Sequence, residues 1–310
     1  MSPREGSLGA SGESAVDLLR VLASHHVDVD DPHAILIGLV GRGIQLSRSP
    51  MMHEREAARL GMRCAYVLID LDRLGLADTA LGDVLEAAER LGFAGLNITH
   101  PLKQRVIAHL GGLAPEAAAI GAVNTVVFRD GARTGHNTDC WGFAESFRDG
   151  MAGSAVSAVA QFGAGGAGAA VAYAMMELGA SDLAVIDTDR ARAEDLAERM
   201  ALRFGGRVRA SEDVAACLAR AEGIVNTTPV GMAKYPGVPF DPAMLRPAHW
   251  VAEIIYFPQE TELLRRARAL GCHALAGSGM AVYQAVRAFE LFTGVTPDRA
   301  AMVGHFEAAA

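Results

Sequence analysis

The chain has 310 residues, 51% of them hydrophobic, which is enough to bury two cores of about 100 to 150 residues each. A net charge of −8, with no cluster of Lys and Arg, argues against nucleic acid or an anionic membrane as a partner. Glycine or charge interrupts every apolar stretch before the about 20 residues that span a bilayer, and the N-terminus lacks the apolar centre of a signal peptide, so we expect a cytoplasmic protein.

The cysteines and histidines show no spacing typical of a metal site. The four cysteines lie far apart without a Cys-x-x-Cys pair, and we expect them to be reduced core thiols. They are Cys64, Cys140, Cys217 and Cys272. The adjacent His25 and His26 point to different faces of any helix, and no His-Glu-x-x-His motif occurs. We therefore expect neither a disulfide framework nor a bound metal.

The first half of the chain alternates between predicted strands and helices. An amphipathic helix over about residues 14–25 belongs to what we interpret as an N-terminal extension, residues 1–30. After it we expect strands at Ala34–Gly41, 64–71 and 93–99, with helices at 50–60 and 79–91. Alternation of this kind predicts an α/β sheet. The Asp130-Gly131 dipeptide between two β-branched stretches predicts a tight hairpin, so this sheet should be mixed.

A second α/β series follows a helix near 140–148, and we place the domain boundary near 140–150. It opens with a strand ending at Phe162, a glycine-rich loop, a long helix to Leu178 and a strand over 183–187. Further strands are expected near 223–226 and 250–256, and helices near 258–270, 279–292 and 298–307. The sequence therefore predicts two α/β domains without internal repeats.

The glycine-rich loop has the spacing of a dinucleotide site. Gly163, Gly165 and Gly168 form G-x-G-x-x-G directly after an apolar strand and at the start of an Ala-rich helix. The first glycine permits a tight turn, the second permits approach of a pyrophosphate, and the third permits close packing of helix on strand. The next strand ends in Asp187, 19 residues after Gly168, where a carboxylate accepts hydrogen bonds from the adenosine ribose. This context favours a dinucleotide site over a merely flexible loop.

The same carboxylate bears on the choice of cofactor. The charge of Asp187 would repel a 2′-phosphate, and the next two residues, Thr188 and Asp189, are not arginines that could bind one. Both features favour NAD over NADP. Two alternatives stay open. Asp187 and Asp189 could simply open the next helix, and Arg190 and Arg192 could turn toward a phosphate.

Three polar clusters follow strands or loops of the first half. They are Ser47 with Ser49; Asn97, Thr99 and Lys103; and Asn124, Asn137 and Asp139. Oxidation of an alcohol by nicotinamide leaves a hydroxyl proton, which requires a base, and neutral amides and hydroxyls suit a ligand with many hydroxyls. Taken singly, each residue has an ordinary explanation: helix caps at Ser47, Ser49 and Asp139, a turn at Asn97, and a solvated helix position at Lys103.

The combination resembles the shikimate/quinate dehydrogenase family. Eight motifs occur in the family's order and at about its spacing, from about Ile35 to Phe292: LSRSPMMHE, GLNITHPLKQ, GAVNTVV, GHNTD, GAGGAG, NTTPVGM, YFPQETELL and GMAVYQA. The resemblance implies an α/β mixed-sheet substrate domain, residues 1–140 with 276–310, and a Rossmann NAD-binding domain, residues 141–275, with the active site in the cleft between them.

Site residues are implied position by position. Lys103 resembles the family's catalytic lysine and Asp139 its partner, which together handle the proton of the C3 hydroxyl while hydride passes to the nicotinamide. The substrate residues implied are Ser47, Ser49, Asn97, Thr99, Asn124, Tyr256 and Gln284. The cofactor residues implied are Gly163, Ala164, Gly165, Gly166, Gly168, Asp187, Asp189, Arg192, Asn226, Thr227, Pro229, Met232 and Gly277.

Two departures from the family's NADP-using members stand out: Asp187-Thr188-Asp189 replaces Asn-Arg-Thr, and Ala276-Gly277 replaces Asp-Gly. The first is similar to the NAD-using quinate/shikimate branch, so we expect NAD-dependent oxidation of quinate or shikimate by a monomer or homodimer. The rivals are an NADP-dependent biosynthetic shikimate dehydrogenase, an aminoshikimate dehydrogenase, and a dinucleotide-binding sensor without activity.

Overall fold

The computed structural model describes residues 34–308, and the helix predicted over residues 14–25 lies outside them. The described residues form two compact units. The first unit runs to Leu113 and includes Val123–His136 and the residues from Ala288 onward. The second unit consists of Ala114–Ala122 and Asn137–Arg287. The functional domain limits expected from the sequence stay a prediction.

Strands and helices alternate along most of the described chain. The strands are β1 (Ala34–Gly41), β2 (Arg63–Asp70), β3 (Phe93–Ile98), β4 (Gly112–Leu113), β5 (Thr125–Arg129), β6 (Ala132–His136), β7 (Ala158–Phe162), β8 (Asp182–Ile186), β9 (Val208–Ala210), β10 (Gly223–Asn226), β11 (Trp250–Glu253) and β12 (His273–Leu275). The helices are α1 (Ser49–Arg59), α2 (Leu71–Leu74), α3 (Leu81–Arg90), α4 (Pro115–Ile120), α5 (Thr138–Gly150), α6 (Gly166–Glu177), α7 (Arg190–Phe204), α8 (Val214–Arg220), α9 (Glu262–Ala269), α10 (Ser278–Thr293) and α11 (Arg299–Glu307). Short 3-10 helices cover Asp78–Ala80, Arg105–His109 and Pro242–Met244.

The sheet of the first unit is mixed, as the sequence predicted. In the described residues its strand order is β2-β1-β3-β5-β6-β4. β1 runs parallel to β2 and to β3, whereas β5 runs antiparallel to β3 and to β6. Because β1 lies between two parallel strands and is covered on both faces, its sequence is a nearly continuous apolar run.

The antiparallel part of this sheet is closed by the predicted hairpin. Arg129 pairs with Ala132, which leaves Asp130 and Gly131 as a two-residue loop. Both loop residues have positive φ, 53° at Asp130 and 71° at Gly131. A loop with two positive φ values has a twist that matches the flanking strands, and Asp-Gly is among the few dipeptides that adopt it at low cost.

One face of the first sheet packs against a C-terminal helix segment. Ala288 and Phe292 of α10 contact Ile37, Leu39 and Tyr66 in one apolar cluster. The ring of His53 on α1 lies 4.9 Å from the ring of Tyr66, and His53 is completely buried. A segment distant in sequence therefore completes the core of the first unit.

The second unit contains a fully parallel sheet. Among the described residues its strand order is β12-β11-β10-β7-β8-β9, with neighbouring strands in parallel register. This is the doubly wound order of the Rossmann fold, in which the order of strands across the sheet reverses between β7 and β10. In such sheets ligands bind beyond the carboxyl ends of the strands at that switch point. Phe162 and Asn226 are paired there.

The core of the second unit explains the Ala-rich composition of α6. Ala169, Ala170 and Ala172 are almost completely buried in this core. Their small side chains let the elements around the helix approach it closely, which larger residues would prevent. At the other side of the core, the Trp250 indole donates a hydrogen bond of 2.6 Å to the Ala155 carbonyl.

The two-domain α/β fold class is confirmed, and several short elements that the sequence pattern did not indicate are now visible. They are the strands β4, β9 and β12, the helices α2, α4 and α8, and the 3-10 helices. One boundary also differs: the helix predicted over 258–270 begins at Glu262, because the Thr261 hydroxyl accepts the Leu264 N–H as an N-cap.

No helix within residues 34–308 has both the length and the apolar character needed to cross a bilayer. Over the same residues, His, Cys, Asp and Glu side chains form no group suited to holding a metal ion. The cysteines are unpaired thiols, buried at Cys140, Cys217 and Cys272 and half-buried at Cys64.

Candidate active site

The glycine-rich loop lies between β7 and α6, at the carboxyl end of the second sheet. Gly163 has a φ of 102°, which side-chain-bearing residues rarely adopt. A Cβ on Gly168 would lie 2.4 Å from the Gly163 carbonyl oxygen, so the loop and helix approach too closely for any side chain there. The open space around Gly165 and the N-terminus of α6 behind it fit the pyrophosphate of a dinucleotide.

Two buried side chains hold this loop from the sheet side. The Gln161 amide donates to the carbonyls of Gly163 at 2.9 Å and Gly168 at 2.8 Å. The Thr227 hydroxyl lies 2.7 Å from the Phe162 carbonyl oxygen and 3.0 Å from that of Gly163. The backbone N–H groups that face a phosphate are thus fixed by hydrogen bonds to the loop's own carbonyls.

Asp187 follows β8 and is anchored to the glycine loop. Its carboxylate accepts hydrogen bonds from the Ala164 N–H at 2.7 Å and from the Asp189 N–H at 2.9 Å. Asp189 stands at the N-cap position of α7 but makes no side-chain cap hydrogen bond, so helix capping does not account for the acidic pair. The carboxylate of Asp187 is instead directed to the edge of the loop where an adenosine ribose binds in Rossmann folds.

The nearby arginines are engaged by carboxylates. Arg190 pairs with Glu194 at 2.7 Å and with Glu212 at 3.0 Å, and Arg192 pairs with Asp189 at 3.1 Å. Exposed ion pairs of this kind contribute about 0 to 1 kcal/mol each to stability. They therefore favour this conformation of the arginines without fixing it. In this conformation each arginine faces a carboxylate.

The segment after β10 is organised by a buried carboxylate. The Asn226 amide nitrogen donates hydrogen bonds to the Val230 carbonyl at 2.9 Å and to the Glu253 carboxylate at 3.0 Å. The Asn226 amide oxygen accepts from the N–H and hydroxyl of Thr228. Glu253 also accepts from Thr261 and from two backbone N–H groups. Burial raises the pKa of Glu253 to about 7, against the opposing effect of these donors.

A buried network of hydroxyls and amides lies in the first unit. The Tyr66 hydroxyl donates to the Asn97 amide oxygen at 2.9 Å. The Asn97 amide nitrogen donates to the Thr125 hydroxyl at 2.9 Å and to the Asn124 carbonyl at 3.3 Å. The Thr125 hydroxyl donates to the Asn124 side-chain oxygen at 3.1 Å. Two predicted substrate residues, Asn97 and Asn124, are therefore joined in one directional chain.

The remaining polar residues of the first unit follow β1 and β3. Ser49 is the first residue of α1, and the Ser47 hydroxyl accepts its N–H at 3.3 Å. The N-cap of α1 is Arg48, so interpreting these serines as N-caps is wrong. Thr99 is tied to β1 through its N–H and the Val40 carbonyl.

Lys103 is half-buried and precedes the 3-10 helix Arg105–His109, so the interpretation as a solvated helix residue is also wrong. Its carbonyl accepts the Val123 N–H at 2.8 Å. That bond ties the lysine to the segment leading into β5. The backbone at Lys103 is thereby held by a second segment of the same unit.

Asp139 lies in the first turn of α5 and is almost completely buried. Asn137 caps this helix instead, since its amide oxygen accepts the Cys140 N–H at 3.3 Å. The ordinary explanation of Asp139 as the N-cap is therefore wrong. A Cβ on Gly142 would lie 2.6 Å from the backbone nitrogen of Gln284. The helices α5 and α10 therefore approach closely one turn beyond Asp139.

Comparison with known proteins identifies the family. The substrate-binding domain model of shikimate dehydrogenase matches residues 39–126, and the C-terminal domain model of shikimate 5′-dehydrogenase matches residues 277–303. A shikimate dehydrogenase (NADP(+)) of Streptomyces avermitilis is 55% identical over 86% of this chain and 93% of its own length. A quinate/shikimate dehydrogenase (NAD(+)) of Corynebacterium efficiens is 46% identical over 86% of this chain and 95% of its own.

This chain belongs to the shikimate/quinate dehydrogenase family. Its fold is similar to that of quinate dehydrogenase from Corynebacterium glutamicum in complex with NAD, with a TM-score of 0.84 and 44% identity over 89% of this chain and 99% of that one. The protein is thus an oxidoreductase that acts on CH–OH groups with a nicotinamide dinucleotide. The resemblance stated from the eight motifs is confirmed.

Three further predicted residues, Met232, Tyr256 and Gly277, follow β10, β11 and β12, respectively. Tyr256 and Met232 are partly exposed, at 47% and 41% of their surfaces. Gly277 lies against the backbone after β11, where a Cβ would be 2.4 Å from the Ile254 carbonyl oxygen. This contact accounts for the glycine at 277, whereas the structure gives no reason for Ala276.

Sequence patterns missed several side chains that position the dehydrogenase's loops. They are Tyr66, Asp70, Thr125, Gln161 and Glu253. Asp70 accepts hydrogen bonds from the N–H groups of Gly43 and Ile44 and from Gln45, and so fixes the loop that leads to Ser47. In the sequence these residues look like ordinary strand residues, because a strand pattern does not show which groups its polar side chains meet in the folded chain. Tyr66 binds Asn97, 31 residues away, whereas Gln161 binds the loop directly after its own strand. A polar residue inside an apolar strand, such as Gln161, was the available signal.

Proposed function

We propose that the protein oxidises the C3 hydroxyl of quinate and shikimate with NAD, forming 3-dehydroquinate and 3-dehydroshikimate. The Asp187 carboxylate carries this choice of cofactor, because it is anchored at the ribose edge of the glycine loop by Ala164 and Asp189. A second negative charge, from a 2′-phosphate, would be repelled there. The NAD-named relative and the NAD-bound quinate dehydrogenase support the same choice.

The nicotinamide ring, when bound, accepts hydride from the substrate carbon. Lys103 and Asp139 would take up the hydroxyl proton. Asp139 orients the hydroxyl by accepting its hydrogen bond, and Lys103 either removes the proton or stabilises the oxygen as its charge grows. The proposal assigns both residues to one proton transfer, so a complex in which they contact different parts of the ligand would contradict it.

The ring hydroxyls and the carboxylate of the substrate are assigned to neutral groups. Ser47 and Ser49 would hold the carboxylate through their hydroxyls. Asn97, Thr99 and Asn124, with Tyr256 and Gln284, would bind the ring hydroxyls. Amides and hydroxyls can donate and accept, which matches a polyol better than charged groups do.

The NADP-dependent reduction of 3-dehydroshikimate is a second candidate. It is favoured by the 55% identical Streptomyces avermitilis relative, whose name specifies NADP(+). Initial rates with quinate and shikimate, each with NAD and with NADP, separate the candidates. We expect higher kcat/KM with NAD for both substrates. A clear preference for NADP would remove the cofactor assignment while leaving the family unchanged.

A further inference from the structure

Tyr66 crosses a whole strand to reach the predicted substrate residue Asn97. Tyr66 lies on β2 and Asn97 on β3, with β1 between them. Two strand spacings amount to about 9.6 Å, which few side chains can bridge. The Tyr66 hydroxyl nevertheless hydrogen bonds to the Asn97 amide oxygen at 2.9 Å, and Ser49 forms a second hydrogen bond to the same phenol. One buried hydroxyl thus links two predicted substrate residues.

The partners of Asn97 allow only one orientation of its amide. The Asn124 backbone carbonyl can only accept, so the Asn97 atom facing it must be the NH₂ group. Turning the amide over would set two carbonyl oxygens against each other and cost a buried hydrogen bond. The oxygen of Asn97 is therefore directed to Tyr66, and its second lone pair remains an acceptor.

Thr125 fixes the orientation of the Asn124 amide in the same way. Its hydroxyl accepts from the Asn97 amide nitrogen and donates its own proton to the Asn124 side-chain oxygen. Asn124 then directs its NH₂ group away from Thr125. Tyr66 and Thr125 are 1% and 0% exposed, so water does not compete for these hydrogen bonds.

We propose that Tyr66 and Thr125 are positioning residues that fix which amide group of Asn97 and of Asn124 faces the substrate, so that Asn97 accepts from a ring hydroxyl and Asn124 donates to one. This inference rests on the proposed function. It concerns residues that bind no substrate themselves and act through their neighbours. The recognised ligand is a ring polyol whose hydroxyls have a defined donor and acceptor role.

The test uses substitutions that remove one hydroxyl and keep the shape. Tyr66→Phe retains the ring that packs on His53, and Thr125→Val is isosteric. Thr125→Ser keeps the hydroxyl and loses only a methyl group. Tyr173→Phe, on α6 of the second unit, is the matched control for loss of a tyrosine hydroxyl. For each protein, kcat and KM for shikimate and quinate, the Kd for NAD and the melting temperature are measured.

We expect Tyr66→Phe and Thr125→Val to raise KM for the polyol about tenfold, with an unchanged Kd for NAD, and Thr125→Ser and Tyr173→Phe to behave like the wild type. A set of substrate analogues, each lacking one ring hydroxyl, provides the decisive measurement. The effect of Tyr66→Phe should disappear for the one analogue that lacks the hydroxyl bound by Asn97.

Three results would overturn the inference. They are unchanged KM values in both variants, a Thr125→Ser enzyme as impaired as Thr125→Val, or an effect of Tyr66→Phe that is equal for all analogues. If Tyr66→Phe does not fold, the threonine pair decides alone. A wild-type protein that oxidises neither quinate nor shikimate would instead contradict the proposed function, and that failure is seen before any variant is made.

Discussion

The buried polar network of the first sheet consists of neutral hydroxyls and amides, whereas the loops at the carboxyl edge of the second sheet contain backbone N–H groups held by carboxylates. In the first unit Tyr66, Asn97 and Thr125 exchange hydrogen bonds whose direction is fixed by burial. In the second unit Asp187 and Glu253 anchor the loops after β8 and β11. A polyol requires many donors and acceptors of defined direction, whereas a dinucleotide requires a charge pattern and close backbone approach.

The two units also respond to acid in opposite ways. Burial lowers the pKa of His53 to about 3, so the first unit excludes a proton that the unfolded chain binds below pH 6.5. Burial raises the pKa of Glu253 to about 7, so the second unit keeps a proton that the unfolded chain releases above about 4.5. The His53 side chain therefore lowers the stability of the first unit as pH falls. The Glu253 side chain lowers the stability of the second unit as pH rises.

The largest expected effect tests the lysine that the first unit contributes to the proposed proton transfer. Lys103→Ala should lower kcat by about 10²- to 10⁴-fold and leave the Kd for NAD nearly unchanged. The chain contains 26 arginines and only two lysines, Lys103 and Lys234. Since a guanidinium does not release its proton, Lys103→Arg should be almost as inactive, whereas Lys234→Arg should be normal. Wild-type turnover in Lys103→Arg would exclude proton removal by this residue.

The next effect tests the charge pattern of the second unit. The double substitution Asp187→Asn with Thr188→Arg removes the repelling carboxylate and adds a guanidinium. The ratio of kcat/KM for NADP to that for NAD should rise by about 10- to 100-fold. Asp187→Asn with Thr188→Val controls for the loss of the hydroxyl without a new charge. Ratios equal to that of the wild type in both double variants would show that this loop does not select the cofactor.

A smaller effect tests the buried histidine of the first unit. Between pH 6.5 and about 3 the unfolded chain binds a proton that folded His53 excludes, so stability falls as pH falls through this window. From pH 7 to 5 this group should cost about 2 kcal/mol. Urea unfolding of His53→Leu should lack that part of the pH dependence, while the exposed control His273→Leu should keep it. Parallel pH profiles for the wild type and His53→Leu would contradict the assignment.

The smallest effect tests how the second unit positions Asn226. In the wild type, several donors point at the Glu253 carboxylate. In Glu253→Gln an NH₂ group replaces one carboxylate oxygen and faces some of these donors, so Asn226 loses its orientation toward Thr228 and Val230. We expect the Kd for NAD at pH 8 to rise about tenfold, with the KM for quinate little changed. Glu262→Gln on the exposed face of α9 is the control. An unchanged Kd would leave Glu253 with a purely structural role.

Much of the fold could be predicted because long elements carry their own pattern. The Asp130-Gly131 hairpin and the strand, glycine loop and helix around Gly163 were visible, since backbone preference is a local property of the chain. The strands β4, β9 and β12 have two or three residues, too few to show a period. Their strand pairing depends on neighbours brought together by the fold.

The sequence by itself determined the family, the α/β class, the glycine loop and the residue types offered to substrate and cofactor. Only the tertiary structure decided the roles of Tyr66, Gln161 and Glu253, whose hydrogen-bond partners include the loop carbonyls and side chains such as Asn97, 31 residues from Tyr66. The physical reason is that helix and turn preferences arise within a few residues, whereas the orientation of a buried amide depends on whichever donors and acceptors the folded chain places beside it.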